Sequence, residues 1–220
     1  MITTVAFDAD HTLVDLGPAV QAGLTAVSAQ TGVEVSVLRA DAKAHWAATP
    51  ELPARDIRIA SLRQSLSRVG REAELDRMVS LFFEVRYSRS RPYPGVVEML
   101  SKLRADFQLG YATNANSRAG LCRLDGQFAF EIYALENGIP KKPHAGFFHA
   151  VLQAAGARAE EVVYVGDTYE HDVVGAAEAG LRTVWLNRGG DPVPGGVRPD
   201  AEIGDLAELP AVLARWNVAE

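Results

Sequence analysis

Cysteine is nearly absent from this sequence, since Cys122 is the only one among 220 residues. A single cysteine forms no disulfide within its chain, which excludes a small disulfide-held scaffold and fits a reducing compartment. The chain also lacks a run of about 18 apolar residues, the length that spans a membrane. Its first residues contain neither a basic segment nor a long apolar one. We therefore expect a cytoplasmic protein that is not secreted and has no membrane partner.

An excess of positive charge is absent as well, because the formal net charge is −6 at pH 7 and the isoelectric point is near 5.4. Proteins that bind nucleic acid usually present a basic face, so the charge disfavours a nucleic-acid partner. Hydrophobic residues make up 48% and charged residues 23%, which is ordinary globular usage. A chain of this length forms one large domain or a core with a smaller inserted domain. We expect a monomer or homodimer.

The order of apolar patterns predicts a helical block inserted early in an α/β core. Ile2–Phe7 is an apolar run rich in β-branched residues that ends at acidic residues, which predicts a buried strand. From about Pro18 to Arg91 the apolar residues recur with helical spacing. Two prolines and a glycine in the segment 92–95 end that block. Strand and helix patterns alternate afterwards, as in a parallel sheet covered by helices on both faces.

We therefore predict a doubly wound parallel-sheet, Rossmann-like α/β core formed by residues 1–15 and 92–220. Residues 16–91 are predicted to form an all-helical inserted domain. Asn187–Pro199 is interpreted as a Gly/Pro-rich loop. The predicted elements after the helical block are helices at Val96–Leu103, Phe147–Ala155 and Val173–Ala179 and strands at Phe107–Ala112, Val162–Val165 and Thr183–Leu186.

Polar residues capable of chemistry follow the predicted strands or lie in the loops between them. Ligands of open α/β sheets bind beyond the carboxyl ends of the strands, so we expect these residues to meet at one edge. Several carboxylates held close together repel one another unless a cation lies among them. Oxygen ligands without clustered His or Cys favour Mg²⁺. The residues are Asp8, Asp10, Thr113, Asn114, Lys142, Asp167 and Asp172.

Such a set suits phosphoryl transfer through an aspartyl-phosphate, which needs a carboxylate nucleophile, a metal and a cationic group. Lys142 and Thr113 supply a positive charge and a hydroxyl for a phosphoryl group. Lys141 precedes Lys142 and makes the position of the functional lysine ambiguous, and Pro143 favours Lys142. An acidic pair at a strand end is by itself more often a turn or a helix cap.

Four segments occur in the order typical of one known family. They are Asp8-Ala9-Asp10-His11-Thr12-Leu13, Thr113-Asn114, Lys142-Pro143 and Gly166-Asp167-Thr168-Tyr169-Glu170-His171-Asp172. In this order they resemble the haloacid dehalogenase-like (HAD) superfamily, in its subgroup with a helical cap inserted after the first motif. The resemblance extends from Val5 to about Trp185.

The resemblance implies a role for each matching residue. Asp8 would attack phosphorus, and Asp10 would act as general acid and then as general base. Thr113 and Lys142 would hold the phosphoryl group. The Mg²⁺ ligands would be Asp8, the backbone carbonyl of Asp10 and Asp167. Asp172 would be an outer ligand or a partner that orients Lys142.

Three positions refine this interpretation. Phosphatases of the family have an acid at the Asp10 position, where dehalogenases have a tyrosine-type residue and use no metal, so phosphatase activity is favoured. His11 stands where glycine is usual, and either strains a left-handed conformation or contacts the substrate. Ala115 departs from the common Thr-Asn-Gly sequence. The implied substrate is a small phosphorylated metabolite, a nucleotide or a sugar or organic-acid phosphate.

Several alternatives stay open. A phosphomutase of the same family would return the phosphoryl group to a bound sugar, and a HAD-like binding protein would show no turnover. A phosphorylation-dependent signalling domain is disfavoured because the acidic motif after Lys142 has no place in one. Lys43, His45 and Trp46 in the helical insertion either contact substrate or pack. The methionine and aromatic residues Met78, Phe82 and Phe83 are predicted to lie in the core of the insertion.

Overall fold

The computed structural model describes residues 1–218, and the chain divides into two compact units. The first unit contains residues 1–14 and those from 92 onward and carries the β-sheet. The second unit, Asp15–Arg91, contains helices and no strand. Among residues 1–218, no helix combines the length and the apolar character needed to cross a membrane.

The helical unit has a core of its own. Its helices are α1 (Leu16–Thr31), α2 (Val35–Ala48), α3 (Ala54–Ser67) and α4 (Leu75–Arg89). Met78, Phe82 and Phe83 are buried in this core, which confirms their predicted position. A Cβ atom on Gly23 of α1 would lie 2.8 Å from the Phe82 ring of α4. A glycine there therefore lets the two helices approach closely.

The sheet has six strands, all parallel, in the order β3-β2-β1-β4-β5-β6. The chain runs outward from β1 through β2 and β3, and then returns to the other side of β1 to form β4. This reversal places a topological switch point beside β1, where ligands of such folds bind. The strands are β1 (Thr4–Phe7), β2 (Gln108–Thr113), β3 (Phe130–Tyr133), β4 (Val162–Gly166), β5 (Arg182–Leu186) and β6 (Ala201–Ile203).

Helices cover both faces of this sheet. Along β1, Val5 and Phe7 face one apolar cluster and Ala6 faces the other, because successive side chains of a strand point to opposite faces. The first cluster includes residues of α5 (Val96–Leu103) and α8 (Leu209–Val218), and the second includes residues of α6 (Ala145–Ala155) and α7 (Gly175–Glu178). The predicted doubly wound α/β class is confirmed.

Some elements differ from the sequence-based expectation. β3, β6 and α8 were not predicted, and the helix expected at Val173–Ala179 is instead a π-helical turn at Tyr169–Val174 followed by α7. The exposed Glu131 interrupts β3, which lies at the edge of the sheet, and leaves it without a continuous apolar run. The π-helical turn begins four residues before the predicted helix start at Val173 and therefore includes Asp172, which belongs to the site described below.

Candidate active site

A cleft of about 160 Å³ lies at the carboxyl ends of β1, β2 and β4, at the switch point of the sheet. Asp8 directly follows β1, and its N–H donates to the carbonyl of Val165 at 2.9 Å, which fixes the start of the loop against β4. The cleft brings together all eight residues predicted for the site. Its lining comprises Asp8, Asp10, His11, Thr113, Asn114, Ala115, Lys142, Asp167, Thr168, His171 and Asp172.

Lys142 lies at the centre of a buried hydrogen-bond network. Its Nζ atom donates to Asp8 Oδ1 at 2.7 Å, to Asp172 Oδ1 at 2.6 Å and to the hydroxyl of Tyr164 at 2.9 Å. The Tyr164 hydroxyl in turn donates to the Ala112 carbonyl at 2.6 Å. An ammonium has three donors, so the three N–H groups of Lys142 all have partners.

The charge of Lys142 is stabilised by its two carboxylate partners. Burial alone would lower the pKa of Lys142, but the negative charges of Asp172 and Asp8 outweigh burial and raise it well above its ordinary value. Burial also raises the pKa of Tyr164 well above its ordinary value, so its phenol stays neutral. The network therefore contains one permanent cation next to Asp8.

Three carboxylates form an acidic cluster beside this cation. Oxygen atoms of Asp8, Asp167 and Asp172 lie within 4.8 Å of one another. Burial, followed by the charges of Asp8 and Asp172, raises the pKa of Asp167 to about 7. The Thr12 hydroxyl donates to Asp167 Oδ1 at 3.2 Å. An all-oxygen cluster that resists full ionisation is a suitable site for a hard divalent cation, which would offset the repulsion.

Asp172 is held in one orientation. Its Oδ1 atom accepts from Lys142, and its Oδ2 atom accepts from the N–H of Thr168 at 2.9 Å. A Cβ atom on Gly166 would lie 2.3 Å from Asp172 Cγ, so a side chain there would displace the carboxylate. Of the two roles predicted for Asp172, the ion pair fits the one in which it orients Lys142.

Asn114 and Thr113 end β2 at the same edge. The Asn114 amide donates to the backbone carbonyl of Lys142 at 3.0 Å and accepts from its N–H at 2.8 Å. This pairing ties the Lys142 loop to the end of β2, which is a positioning role that the sequence did not predict. The Thr113 hydroxyl accepts from the N–H of Ala115 at 3.0 Å. Substrate contact by Asn114 and Thr113 stays a prediction.

His11 adopts the left-handed backbone conformation, with φ of 63°. Its N–H donates to the Val14 carbonyl at 2.9 Å, which closes the turn after Asp10. The guanidinium of Arg188 donates to the His11 carbonyl and, at 3.0 Å, to the Thr12 carbonyl. His11 therefore has a backbone conformation that glycine adopts more readily than other residues. The carbonyls of His11 and Thr12 in this turn both accept from Arg188.

Three residues of the site were missed by sequence reasoning. Thr12 lies inside the first motif, but a hydroxyl next to acids has many ordinary uses. Tyr164 is a single phenol in an apolar strand, where an aromatic residue is expected for packing alone. Arg188 lies in the segment interpreted only as a loop. Nothing in the sequence connects it with His11 and Thr12, which lie more than 170 positions earlier in the chain.

Comparison with known proteins identifies the family. The model of the haloacid dehalogenase-like hydrolase family matches residues 2–180. The pyrimidine 5'-nucleotidase YjjG of Escherichia coli is 33% identical over 129 residues, which cover 56% of this chain and 57% of that protein. The chain thus matches little more than half the length of that relative. The phosphoglycolate phosphatase of Caulobacter vibrioides is 28% identical over 205 residues, covering 84% of this chain and 79% of that protein.

Solved structures show the same fold along nearly the whole chain. A 2-haloacid dehalogenase from Pseudomonas syringae has a TM-score of 0.82 and 31% identity, covering 98% of this chain and 100% of that one. The HAD-hydrolase YfnB from Bacillus subtilis has a TM-score of 0.80 and 22% identity, covering 96% and 98%. With four motifs gathered at one edge of the sheet and a family match over residues 2–180, the chain belongs to the haloacid dehalogenase-like hydrolase family.

Proposed function

We propose that this chain is a Mg²⁺-dependent phosphatase that hydrolyses a small phosphomonoester through an aspartyl-phosphate on Asp8. The observation that carries the proposal is the cleft in which Asp8, Asp10 and the buried Lys142 meet, with Asp167 and Asp172 beside them. Relatives named as a nucleotidase and as a phosphoglycolate phosphatase support the phosphomonoester class.

Asp8 is the nucleophile of the proposed reaction. Its Oδ1 atom accepts from Lys142, whereas its Oδ2 atom lies at the longer distance of 3.5 Å from the Thr12 hydroxyl. One carboxylate oxygen forms a bond to phosphorus while the bond from phosphorus to the leaving oxygen breaks. A carboxylate and a phosphate repel each other, and the ammonium 2.7 Å from Asp8 reduces this repulsion.

Asp10 moves the protons. In the first step its carboxylic acid gives a proton to the leaving oxygen of the ester. In the second step the carboxylate takes a proton from water as the water oxygen bonds to phosphorus. The bond between phosphorus and Asp8 then breaks, which releases inorganic phosphate and regenerates the Asp8 carboxylate.

The acidic cluster is the place for the metal ion. Asp8, Asp167 and the backbone carbonyl of Asp10 would hold Mg²⁺, and Asp172 would act from the outer shell through its pair with Lys142. When bound, Mg²⁺ supplies positive charge that offsets the carboxylates and polarises phosphoryl oxygens. Thr113 would donate a hydrogen bond to the phosphoryl group.

Dehalogenation is the second candidate because the Pseudomonas syringae structure, 31% identical to this chain, is a 2-haloacid dehalogenase. Both reactions begin with attack by a carboxylate. Phosphate ester cleavage also needs a proton donor for the leaving oxygen, whereas halide leaves without one. The carboxyl group of Asp10, which lines the cleft, therefore favours the phosphatase.

The test is a screen of phosphate release from many phosphomonoesters, run in parallel with halide release from a 2-haloacid. Wild type is compared with Asp8→Asn and with Asp106→Asn, which changes an exposed aspartate outside the cleft. We expect phosphate release that needs Mg²⁺, stops in chelator, is abolished in Asp8→Asn and persists in Asp106→Asn. Equal phosphate release from wild type and Asp8→Asn would contradict the mechanism, and halide release without phosphate release would establish the second candidate.

A further inference from the structure

Arg58 of α3 is a buried cation in the helical unit, and no carboxylate within residues 1–218 pairs with it. The residue is 8% exposed, and its Nη1 atom is buried without a hydrogen bond. Within residues 1–218, its guanidinium takes part in no hydrogen bond or ion pair. Buried charges in proteins are usually paired, because an uncompensated buried charge is costly. The buried charge of Arg58 is therefore not neutralised by a carboxylate within residues 1–218.

Two aromatic rings hold the guanidinium in place. Arg58 Cζ lies 4.6 Å from the ring centroid of Phe82 and 4.8 Å from that of Trp46. Phe82 is a core residue, whereas Trp46 is 38% exposed, so one ring belongs to the interior and the other reaches solvent. Ring faces attract a cation but leave its in-plane N–H donors free for an oxyanion.

The charges around Arg58 are positive. Burial, and then the charges of Arg86 and Arg39, lower the pKa of Arg58 to about 10. Residues 15–91 contain eleven Lys and Arg against nine Asp and Glu, although the whole chain has a net charge of −6. One of these acids, Asp41, pairs with Arg68. The field near Arg58 therefore favours an anion from outside the unit.

We propose that Arg58 binds a small oxyanion, a carboxylate or a phosphate, in the helical unit, with Trp46 covering the guanidinium. The ligand is a free anion that binds the protein independently of turnover.

The first experiment measures thermal unfolding of the full chain in chelator with increasing malonate. Malonate is chosen because inorganic phosphate would also fit the cleft of Asp8. The control variant for Arg58→Gln is Arg63→Gln, an exposed arginine on the same helix. We expect malonate to raise the Tm of wild type and Arg63→Gln, and to bind Arg58→Gln at least about tenfold more weakly, as for a lost charge-assisted hydrogen bond.

Arg58→Lys keeps the charge without the planar donors, and covers the case in which Arg58→Gln fails to fold. We expect this variant to be stabilised by malonate with an apparent affinity below that of wild type. An absent malonate effect in wild type, or one unchanged in Arg58→Gln or Arg58→Lys, would overturn the proposal.

The second experiment tests whether the anion binds independently of turnover. It compares kcat/KM for phosphoglycolate, which carries a carboxylate, with kcat/KM for p-nitrophenyl phosphate, which does not. A free anion predicts that Arg58→Gln has unchanged kcat/KM on both esters and a lost malonate effect. A loss on phosphoglycolate alone would contradict binding independent of turnover and overturn the proposal. Failure of the proposed function is distinguishable, because wild type would then hydrolyse neither ester while malonate still stabilised it.

Discussion

At the scale of single residues, one ammonium group connects the chemistry of the site with its stability. Lys142 is the cation shared by Asp8 and Asp172, and its side chain is 2% exposed. Removing one partner of a buried charge network leaves the others uncompensated, which costs more than the network itself contributes.

We expect Lys142→Met to abolish phosphate release and to lower the free energy of unfolding by about 3 kcal/mol, because two buried carboxylates lose their counter-charge. Urea unfolding and a phosphate-release assay measure the two effects. Lys141→Met is the matched control and changes a neighbour that is only partly buried. A larger loss of stability in Lys141→Met than in Lys142→Met would show that the neighbouring lysine is the structural one.

Arg188 donates hydrogen bonds to the carbonyls of His11 and Thr12, the two residues that follow Asp10. We expect Arg188→Gln to lower kcat about tenfold with little change in KM, since a small misplacement of Asp10 slows proton transfer. Arg188→Lys is expected to restore little, because a single ammonium does not reproduce the planar fork. The exposed Arg198→Gln is the control, and a change in KM alone would exclude this positioning role.

At the scale of elements, close approaches between a strand end and the following turn decide where the acids lie. Gly166 ends β4, and the π-helical turn at Tyr169–Val174 brings Asp172 back against it. The sequence predicted the acids but not this turn, because the apolar pattern becomes helical only from Val173. The edge strand β3 was missed because its apolar residues show no strong strand periodicity in the sequence.

Gly166→Ala is expected to cost about 2 kcal/mol of unfolding free energy, because its Cβ would overlap the Asp172 carboxylate. Phosphate release should fall with it, since Lys142 loses its orienting partner. Gly17→Ala in α1 is the control, with no atom closer than 3.9 Å to the added Cβ. An unchanged midpoint of urea unfolding in Gly166→Ala would show that the loop shifts without cost.

In the helical unit, Asp41 of α2 accepts from Arg68 Nη2 at 2.7 Å and from the Ser65 hydroxyl at 2.7 Å. The hydrogen bond from Arg68, more than any other cause, lowers the pKa of Asp41. Its contribution to stability is therefore fully present above the pKa of about 3.9 in an unfolded chain and is lost as the pH falls through the lowered value.

We expect Asp41→Asn to lose about 2 kcal/mol of unfolding free energy at pH 7, as for hydrogen bonds to a charged group. The difference from wild type should shrink as the pH falls below about 4, where Asp41 of the unfolded chain becomes protonated, and vanish as the pH falls through the lowered pKa of the folded state. Urea unfolding of both proteins at several pH values measures this. Asp56→Asn, an exposed aspartate on α3, is the control, and a difference independent of pH would contradict the assignment.

At the scale of the whole molecule, the order of the motifs predicted their meeting place. Parallel strands end at one edge, so Asp8, Thr113 and Asp167 were expected to meet there, and the cleft brings them together. The contacts within that edge were beyond prediction, because Tyr164 and Arg188 depend on strand neighbours and loop paths that no local pattern reveals. Hydrogen-bond partners depend on fractions of an ångström.

We expect Mg²⁺ to raise the Tm of wild type, since a ligand that binds only the folded state stabilises it, by about 2.7 kcal/mol at a concentration of 100 times Kd. Thermal unfolding with Mg²⁺ and with chelator measures the shift. Asp167→Asn should lose most of it, whereas Asp125→Asn, an exposed aspartate outside the acidic cluster, should retain it. An equal shift in Asp167→Asn would place the metal elsewhere.

The central position of β1 also sets the order of events during synthesis. Thr4 pairs with Gln108 on one side and Val162 on the other, so the ribosome makes more than a hundred residues before β1 meets its first neighbour. The contiguous helical unit, Asp15–Arg91, is complete earlier, because its contacts are nearer in sequence. A nascent chain released before β4 emerges therefore carries a finished helical unit and a first strand with one edge unpaired, and unpaired strand edges promote aggregation.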